Sequence, residues 1–461
     1  MSQNDTAAGR AEQLLRLGDE IVARAIEGGA SVAEASVREG AHLSVKVRLG
    51  ERELVEEAGS RAIGLRVMVG QQVAVSYTSD LTEAGRKRLV EDALELAQLS
   101  EPDPFAGGPE PSLLSREADW PALDTCDPLM GSLTAGRALE LALRAEKAAL
   151  DFDPRIINSE GATVSRAVGG SALVTSGGFR GYGEGSYVSL VVNPLTEDTD
   201  GKKRRGFHWA ARRFLAELDD EVEVGREAAR RTLRKLGAKK IGSAEMPVVF
   251  DPDAGRAILG LLSSCVNGGS IWRKSSYLVD RLGTLVSSPL VTIIDDPLIN
   301  KAPGSRAFDG EGLVSRRNVV VERGELKTYL LDSYAGRKLG MPSTGSASRG
   351  SSGGVGIGTT NFVLQPGEET AAELIARTPR GLYVTEMMGF GFNAVTGDFS
   401  RGASGFLIED GALGPAVSEV TISLNLDELL KRIDGVANDL DLRTSVASPT
   451  FRVSAMTIAG R

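Results

Sequence analysis

The chain has 461 residues with 41% apolar content, enough for two to three domains of about 100–200 residues each and for a sizeable core. Its 62 acidic and 53 basic residues leave a formal charge of −9, which argues against a nucleic-acid-coating protein, and no run of about 18 apolar residues could span a membrane. The polar start at 1–10 lacks the apolar stretch of a signal peptide, and the two cysteines, Cys126 and Cys265, fit neither a disulfide framework nor a C-x-x-C motif, so a reducing, cytoplasmic setting is expected.

In chain order, Leu14, Leu17, Ile21, Val22 and Ala25 recur at helical spacing and predict an amphipathic helix over 10–28, stopped by Gly28-Gly29. Leu43, Val45, Val47 and Leu49 alternate with polar residues, the period of a half-buried strand. Segments 63–69 and 72–77 read as further strands. Asp80, with Glu83 three residues on, predicts the capped start of a second helix ending near Gln98. Residues 101–111 are rich in Pro and Gly and read as a linker. A helix over 134–150, Gly-punctuated strands over 156–192 and a charged helix over 219–236 follow. The order helix–strands–helix thus occurs twice, which fits either an old duplication or a chance likeness of layout.

From Met246 the texture changes. A short strand at 247–250 precedes a helix over 253–265, and strands with Gly/Ser-rich turns run to the end. The main boundary is expected near 240. The stretch 344–360, dominated by Gly, Ser and Thr, reads as a mobile loop or one that orders on binding.

Several patterns carry a chemical reading beside a plainer one. The only histidines, His42 and His208, have no partner at ligand spacing, so a zinc site built on them is not expected. Gly350-Ser351-Ser352-Gly353-Gly354 matches the G-x-S-x-G elbow of serine hydrolases, which requires a strand before it and a helix after it. Gly397 to Ser404 resembles a phosphate-binding loop without its lysine, and Gly354, Gly356 and Gly358 echo a dinucleotide motif; both read as turn glycines. The run Lys202-Lys203-Arg204-Arg205 reads as a solvated loop in an acidic chain.

The block Asn393-Ala394-Val395-Thr396-Gly397-Asp398-Phe399-Ser400-Arg401-Gly402-Ala403-Ser404-Gly405 fits N-x-x-T-G-x-F-S-x-G-x-x-G. The stretches Arg273 to Leu278, Gly304 to Gly312 (GS-x-x-FDDEG, with Gly310 for the second Asp), Glu325 to Tyr334, Gly64 to Arg66 and Thr78 to Thr82 accompany it. Together they resemble the TldD/TldE (PmbA) metalloprotease family. Where the zinc-bearing member has H-E-x-x-x-H, this chain reads Gly260-Leu261-Leu262-Ser263-Ser264-Cys265. The region matching the third ligand, about Ser445 to Phe451, has no cysteine.

The resemblance implies an α+β fold: an N-terminal mixed α/β domain at 1–240, open to division near 101–133, and a β-rich C-terminal domain at 241–461. It further implies a TldE-like subunit with no catalytic residue, metal or cofactor of its own. Zinc is expected in a TldD-like partner, and unfolded peptide is the expected substrate, for turnover or leader-peptide removal. Asn393, Thr396, Gly397, Asp398, Ser400, Gly402, Ser404 and Gly405 are candidates for a peptide channel or subunit interface, or else for a structural turn framework. A homo-oligomeric peptide-binding protein and a hydrolase with an unrecognised site are the alternatives.

Overall fold

Two long antiparallel hairpins organise the N-terminal half. The computed structural model describes residues 7–460, so most of the polar start, 1–6, lies outside the described residues. Strands β1 (Val32–Arg48) and β2 (Glu51–Val69) turn at Leu49-Gly50, both at positive φ. A short strand β3 (Gln72–Thr78) pairs only with Ile63 to Val69 of β2. The second hairpin is β4 (Ile156–Thr175) with β5 (Arg180–Glu197), extended by β6 (Lys203–Arg205) and β7 (His208–Arg212). The hairpins join through β1 and β4, from Glu34 opposite Thr175 to Val47 opposite Ala162. The sheet order is β3-β2-β1-β4-β5-β6, with β7 also on β5. The repeated helix–strands–helix layout therefore flanks one seam within a single sheet.

Helices α1 (Ala7–Glu27) and α2 (Glu83–Leu99) cover one end of this sheet, burying Ala33, Ala35, Val37, Leu65 and Val67 against Ile21, Ala25, Leu89 and Ala93. Helices α3 (Ala135–Leu150) and α4 (Glu221–Leu233) cover the other end, over Leu43, Val45, Val47, Val188 and Leu190. Each large apolar side chain so buried stabilises the fold by about 1.5–3 kcal/mol. Residues 33, 35 and 37 share parity with 43, 45 and 47, so both helix pairs lie on one face of the sheet. Helix α2 begins two residues later than expected, its cap being Thr82 and not Asp80. Thr82 is the N-cap, its Oγ1 accepting from the Gly85 amide at 3.2 Å, while Asp80 accepts from the Thr82 amide. Glu83 is already the first helical residue, so it cannot close a capping box from Asp80.

In the C-terminal half, β8 (Ala244–Phe250) lies between Arg380–Met388 and Phe451–Ala459 in a six-stranded sheet. Pairing of Thr421, Ile422 and Ser423 with Ala459, Ile458 and Thr457 closes five of these strands into a ring. Helix α5 (Pro252–Cys265) follows β8, capped by Asp251, which accepts from the Ala254 amide at 2.8 Å. The fold is α+β. The Gly/Ser stretch 344–360 is no loose loop: Ala347–Arg349 and Val355–Ile357 pair as a hairpin.

The uncovered face of the N-terminal sheet meets the C-terminal half. Glu34 is buried between Arg66 (3.1 Å) and Arg349. Tyr187 donates to the Arg443 carbonyl at 2.8 Å, and Arg443 to the Trp209 carbonyl at 2.9 Å. The connecting segment 100–134 is also fixed, because Trp120 packs on Phe308 with ring centroids 4.8 Å apart.

Candidate functional site

Helix α5 carries Gly260, Leu261 and Cys265, the residues that the family resemblance sets against H-E-x-x-x-H. Gly260 is half-buried, and a Cβ built on it meets no atom within 4 Å, so room for a larger side chain exists there. Leu261 packs at the edge of the core. Cys265 is 0% exposed among Leu262, Val266 and their neighbours, and burial pushes its thiol up to about 11. A metal-ligating thiol must be ionised, and a leucine can neither ligate nor take a proton from water. In the region matching the third ligand, Ser448 and Thr450 are buried and bonded, Ser448 to the Pro449 carbonyl and Thr450 to Asp439. These residues do not fit zinc. Among the described residues no three His, Cys, Asp or Glu side chains come together as a metal site would need.

Neither histidine belongs to a metal-binding cluster among the described residues. His42 is exposed on β1. His208 Nδ1 is buried without a partner, and burial, reinforced by Arg231 and Arg443, pushes the imidazole down to about 4, so it is neutral near pH 7. Ser352 lies in the turn between two antiparallel strands, with no helix after it, so the elbow geometry of a serine hydrolase is missing. The basic run at 202–205, expected as a solvated loop, is partly strand β6 and is ion-paired: Lys202 to Glu419, Arg204 to Asp198 and Arg205 to Glu160.

The 390–405 block is a turn leading into the strand Asp398–Glu409. Asn393 Oδ1 accepts from the Val395 amide at 2.9 Å, and Thr396 Oγ1 donates to Asp398 at 2.7 Å. Asn425 donates to the Thr396 carbonyl and to Asp398. These bonds, Thr396 first and Asn425 second, hold the Asp398 carboxyl below the usual range. Gly397 has φ +81°, and a Cβ on Gly405 would lie 1.8 Å from the Tyr383 carbonyl oxygen, so both must be glycine. The Ser400 amide donates to the Gly391 carbonyl, Ser404 reaches Glu386 at 3.4 Å, and Gly402 pairs with Met388. The polar groups of Asn393, Thr396 and Asp398 are thus committed inside the turn. Outward the block is mixed: Asn393, Thr396, Asp398 and Ser400 are exposed beside Phe390 at 97% and Val395 at 55%, with Met388 at 54% just before it.

A cleft of about 790 Å³ separates the middle of the N-terminal sheet from the C-terminal half. Gly40, Ser60, Gly169 and Gly185 floor it, and Arg306, Phe308 and Arg349 face them. Small side chains create the hollow; a Cβ on Gly185 would already lie 2.9 Å from Arg213. A neighbouring hollow of about 670 Å³ is lined by His42, Tyr187, Thr444 and Ser445. The sequence reading missed this cleft, although glycines recurring within the strands, at 169–170 and 181–185, were its signal. It also missed that residues 51–61 of β2 are exposed throughout and, among the described residues, pair with β1 alone, leaving a free edge.

Models of the PmbA/TldA metallopeptidase domain 1, central domain and C-terminal domain match residues 33–97, 130–236 and 243–460. A metalloprotease PmbA homolog of Haemophilus influenzae is 36% identical over 464 aligned positions, spanning 100% of this chain and 99% of the relative. The metalloprotease PmbA of Escherichia coli O157:H7 is 34% identical, over 96% of each chain. A crystal structure from Bacteroides thetaiotaomicron, named as a candidate modulator of DNA gyrase, superposes with a TM-score of 0.90 at 25% identity, over 99% of this chain and 100% of the other.

Proposed function

The chain belongs to the PmbA/TldD metallopeptidase family, and on that premise we propose that it is a TldE-like, non-catalytic subunit of a two-component zinc peptidase acting on unfolded peptides. The observation that carries this reading is the face of α5, where Gly260, Leu261 and a fully buried Cys265 stand in the ligand and base positions. Zinc and the general base then come from a TldD-like partner with H-E-x-x-x-H. This chain supplies part of an enclosing chamber and surfaces that hold an extended peptide.

Two surfaces support that division of labour. The free edge of β2 offers backbone donors and acceptors to an added strand, which binds extended chains with little regard to side chain. The apolar tip of Met388, Phe390 and Val395 offers a contact of the kind that subunits bury. The test is a pair of substitutions in the assembled complex. Replacing the motif glutamate of the TldD-like partner by Gln abolishes peptide hydrolysis, whereas Leu261→Ala in this chain leaves kcat within about twofold of the unaltered complex. Hydrolysis that survives the partner's substitution would sink the proposal.

A further inference from the structure

Three polar groups lining the interdomain cleft have no partner. Ser36 Oγ, Arg38 Nε and Arg306 Nε are buried and make no hydrogen bond, and all three residues face the same hollow. Ser36 is 1% exposed. Buried polar groups are nearly always bonded, to protein or to ordered water, so three unbonded ones beside one space mark polar capacity that the fold itself leaves unused there.

Among the described residues Arg38, Arg213 and Arg306 form no ion pair, although Asp309 and Asp295 attract Arg306 from beyond ion-pair distance. Arg38 donates to the Arg349 carbonyl, Arg306 to the Gly345 carbonyl at 3.5 Å, and Arg213 to the carbonyls of Thr125, Ala302, Pro303 and Ser305. Most carboxylates nearby are bonded to other groups. Glu34 is held by Arg66 and Arg349, and Glu39 by Arg10 and Arg61. Asp309 accepts from the amides of Glu311, Leu313 and Ala347, and Asp295 from that of Thr360; both attract Arg306 only at longer range. Glu184, which also lines the cleft, accepts from the Tyr182 hydroxyl and forms no ion pair among the described residues, one carboxyl against four lining arginines, Arg38, Arg213, Arg306 and Arg349. Sequestered guanidinium groups without a contacting carboxylate favour an anion between them.

We infer that this cleft is a carboxylate site, built by Arg38 and Arg306 with Ser36, that takes the C-terminal end of an extended peptide. A guanidinium fork matches a carboxylate with paired N–H donors. At about 790 Å³ the hollow far exceeds a lone inorganic anion and falls within the range of about 300–1,000 Å³ usual for organic ligands. Pro121, Leu123 and Phe308 supply apolar wall beside the arginines for the last side chain, and the glycine floor admits a backbone close to the sheet. The choice of a peptide as ligand rests on the proposed function; the site itself does not.

The test is fluorescence anisotropy on the full chain with a dye-labelled unstructured hexapeptide in three forms: free C-terminal acid, C-terminal amide, and amide ending in Glu. The free acid binds about tenfold tighter than the amide, the scale of one charge-assisted contact, and the Glu-amide behaves as the amide. Arg38→Gln removes the preference with the melting temperature unchanged, and Arg38→Lys keeps part of it. Equal binding of acid and amide, no binding of either, or a preference that survives both Arg38→Gln and Arg306→Gln overturns the site. A Glu-amide equal to the acid overturns the assignment to the terminus. Hydrolysis by the assembled complex is read in parallel. If it proceeds with no acid preference, only the carboxylate site falls; if assembly fails while the preference holds, only the proposed function falls.

Discussion

Gly64 and Gly353 meet backbone to backbone across the two halves of the molecule: a Cβ on Gly64 would lie 2.5 Å from the Gly353 nitrogen. Gly353 has φ +86°, so neither position tolerates a side chain without displacing the hairpin turn from the sheet. Gly64→Ala is expected to destabilise the protein by about 1–3 kcal/mol, the usual cost of overpacking, read as a lowered midpoint in urea unfolding.

Gly260 is the opposite case. It lies inside α5 with open space around its missing Cβ. Gly260→Ala is expected to raise stability by about 0.5–1 kcal/mol through helix propensity alone. Gly260→His fits the same space, yet the isolated variant is expected to hydrolyse no unfolded peptide, because Leu261 and Cys265 supply neither base nor ligand. Peptide hydrolysis by that variant alone, followed with a quenched fluorogenic substrate, would contradict the reading of α5.

Buried carboxyls give stability a definite pH dependence. Burial first, and Asp309 second, push Glu311 up from 4.5 to about 7. A raised carboxyl pKa means the folded state binds a proton that the unfolded state has lost. Its contribution is therefore full below about pH 4.5 and disappears as pH rises through about 7. Asp251, also pushed up to about 7 by burial, acts in the same sense. Unfolding free energy is expected to fall between about pH 5 and 8, by on the order of 1–3 kcal/mol. Glu311→Gln, whose amide oxygen can still accept from the Ser333 amide as Glu311 does at 2.9 Å, should flatten part of that slope. An unchanged slope would show that Glu311 is ionised in the fold.

Phe390, 97% exposed, makes a clean probe of assembly because almost none of it supports the fold. Phe390→Asp is expected to weaken association with the TldD-like subunit by at least about tenfold, the effect of a modest hot spot, with the melting temperature of the isolated chain unaltered. Sedimentation of the mixed subunits checks it; unchanged affinity would remove this tip from the interface.

Local chemistry made much of this molecule legible. Periodic apolar residues marked α1 and the 43–47 part of β1, and Thr134 opens α3 as its composition suggests. The rest of β1 was hidden because Glu34 and Ser36 are polar yet buried, one in an ion-pair cluster and one at the cleft. The first half of β2 is exposed on both faces, so Glu51, Glu53, Glu56 and Glu57 showed no alternation. The pairing of Glu34 with Arg349 joins residues 315 positions apart, and no local pattern can announce it. At the candidate site Gly260, Leu261 and Cys265 could be set against H-E-x-x-x-H from the resemblance alone, whereas the cleft, built where glycines of one half face arginines of the other, exists only in three dimensions.

The most direct measurement of the central claim is zinc content and unfolded-peptide hydrolysis for this chain alone and for its purified complex with a TldD-like subunit. The expected result is neither zinc nor hydrolysis for the chain alone, and both in a stable complex. Stoichiometric zinc with hydrolysis by the isolated chain would contradict it and place an active site within this subunit.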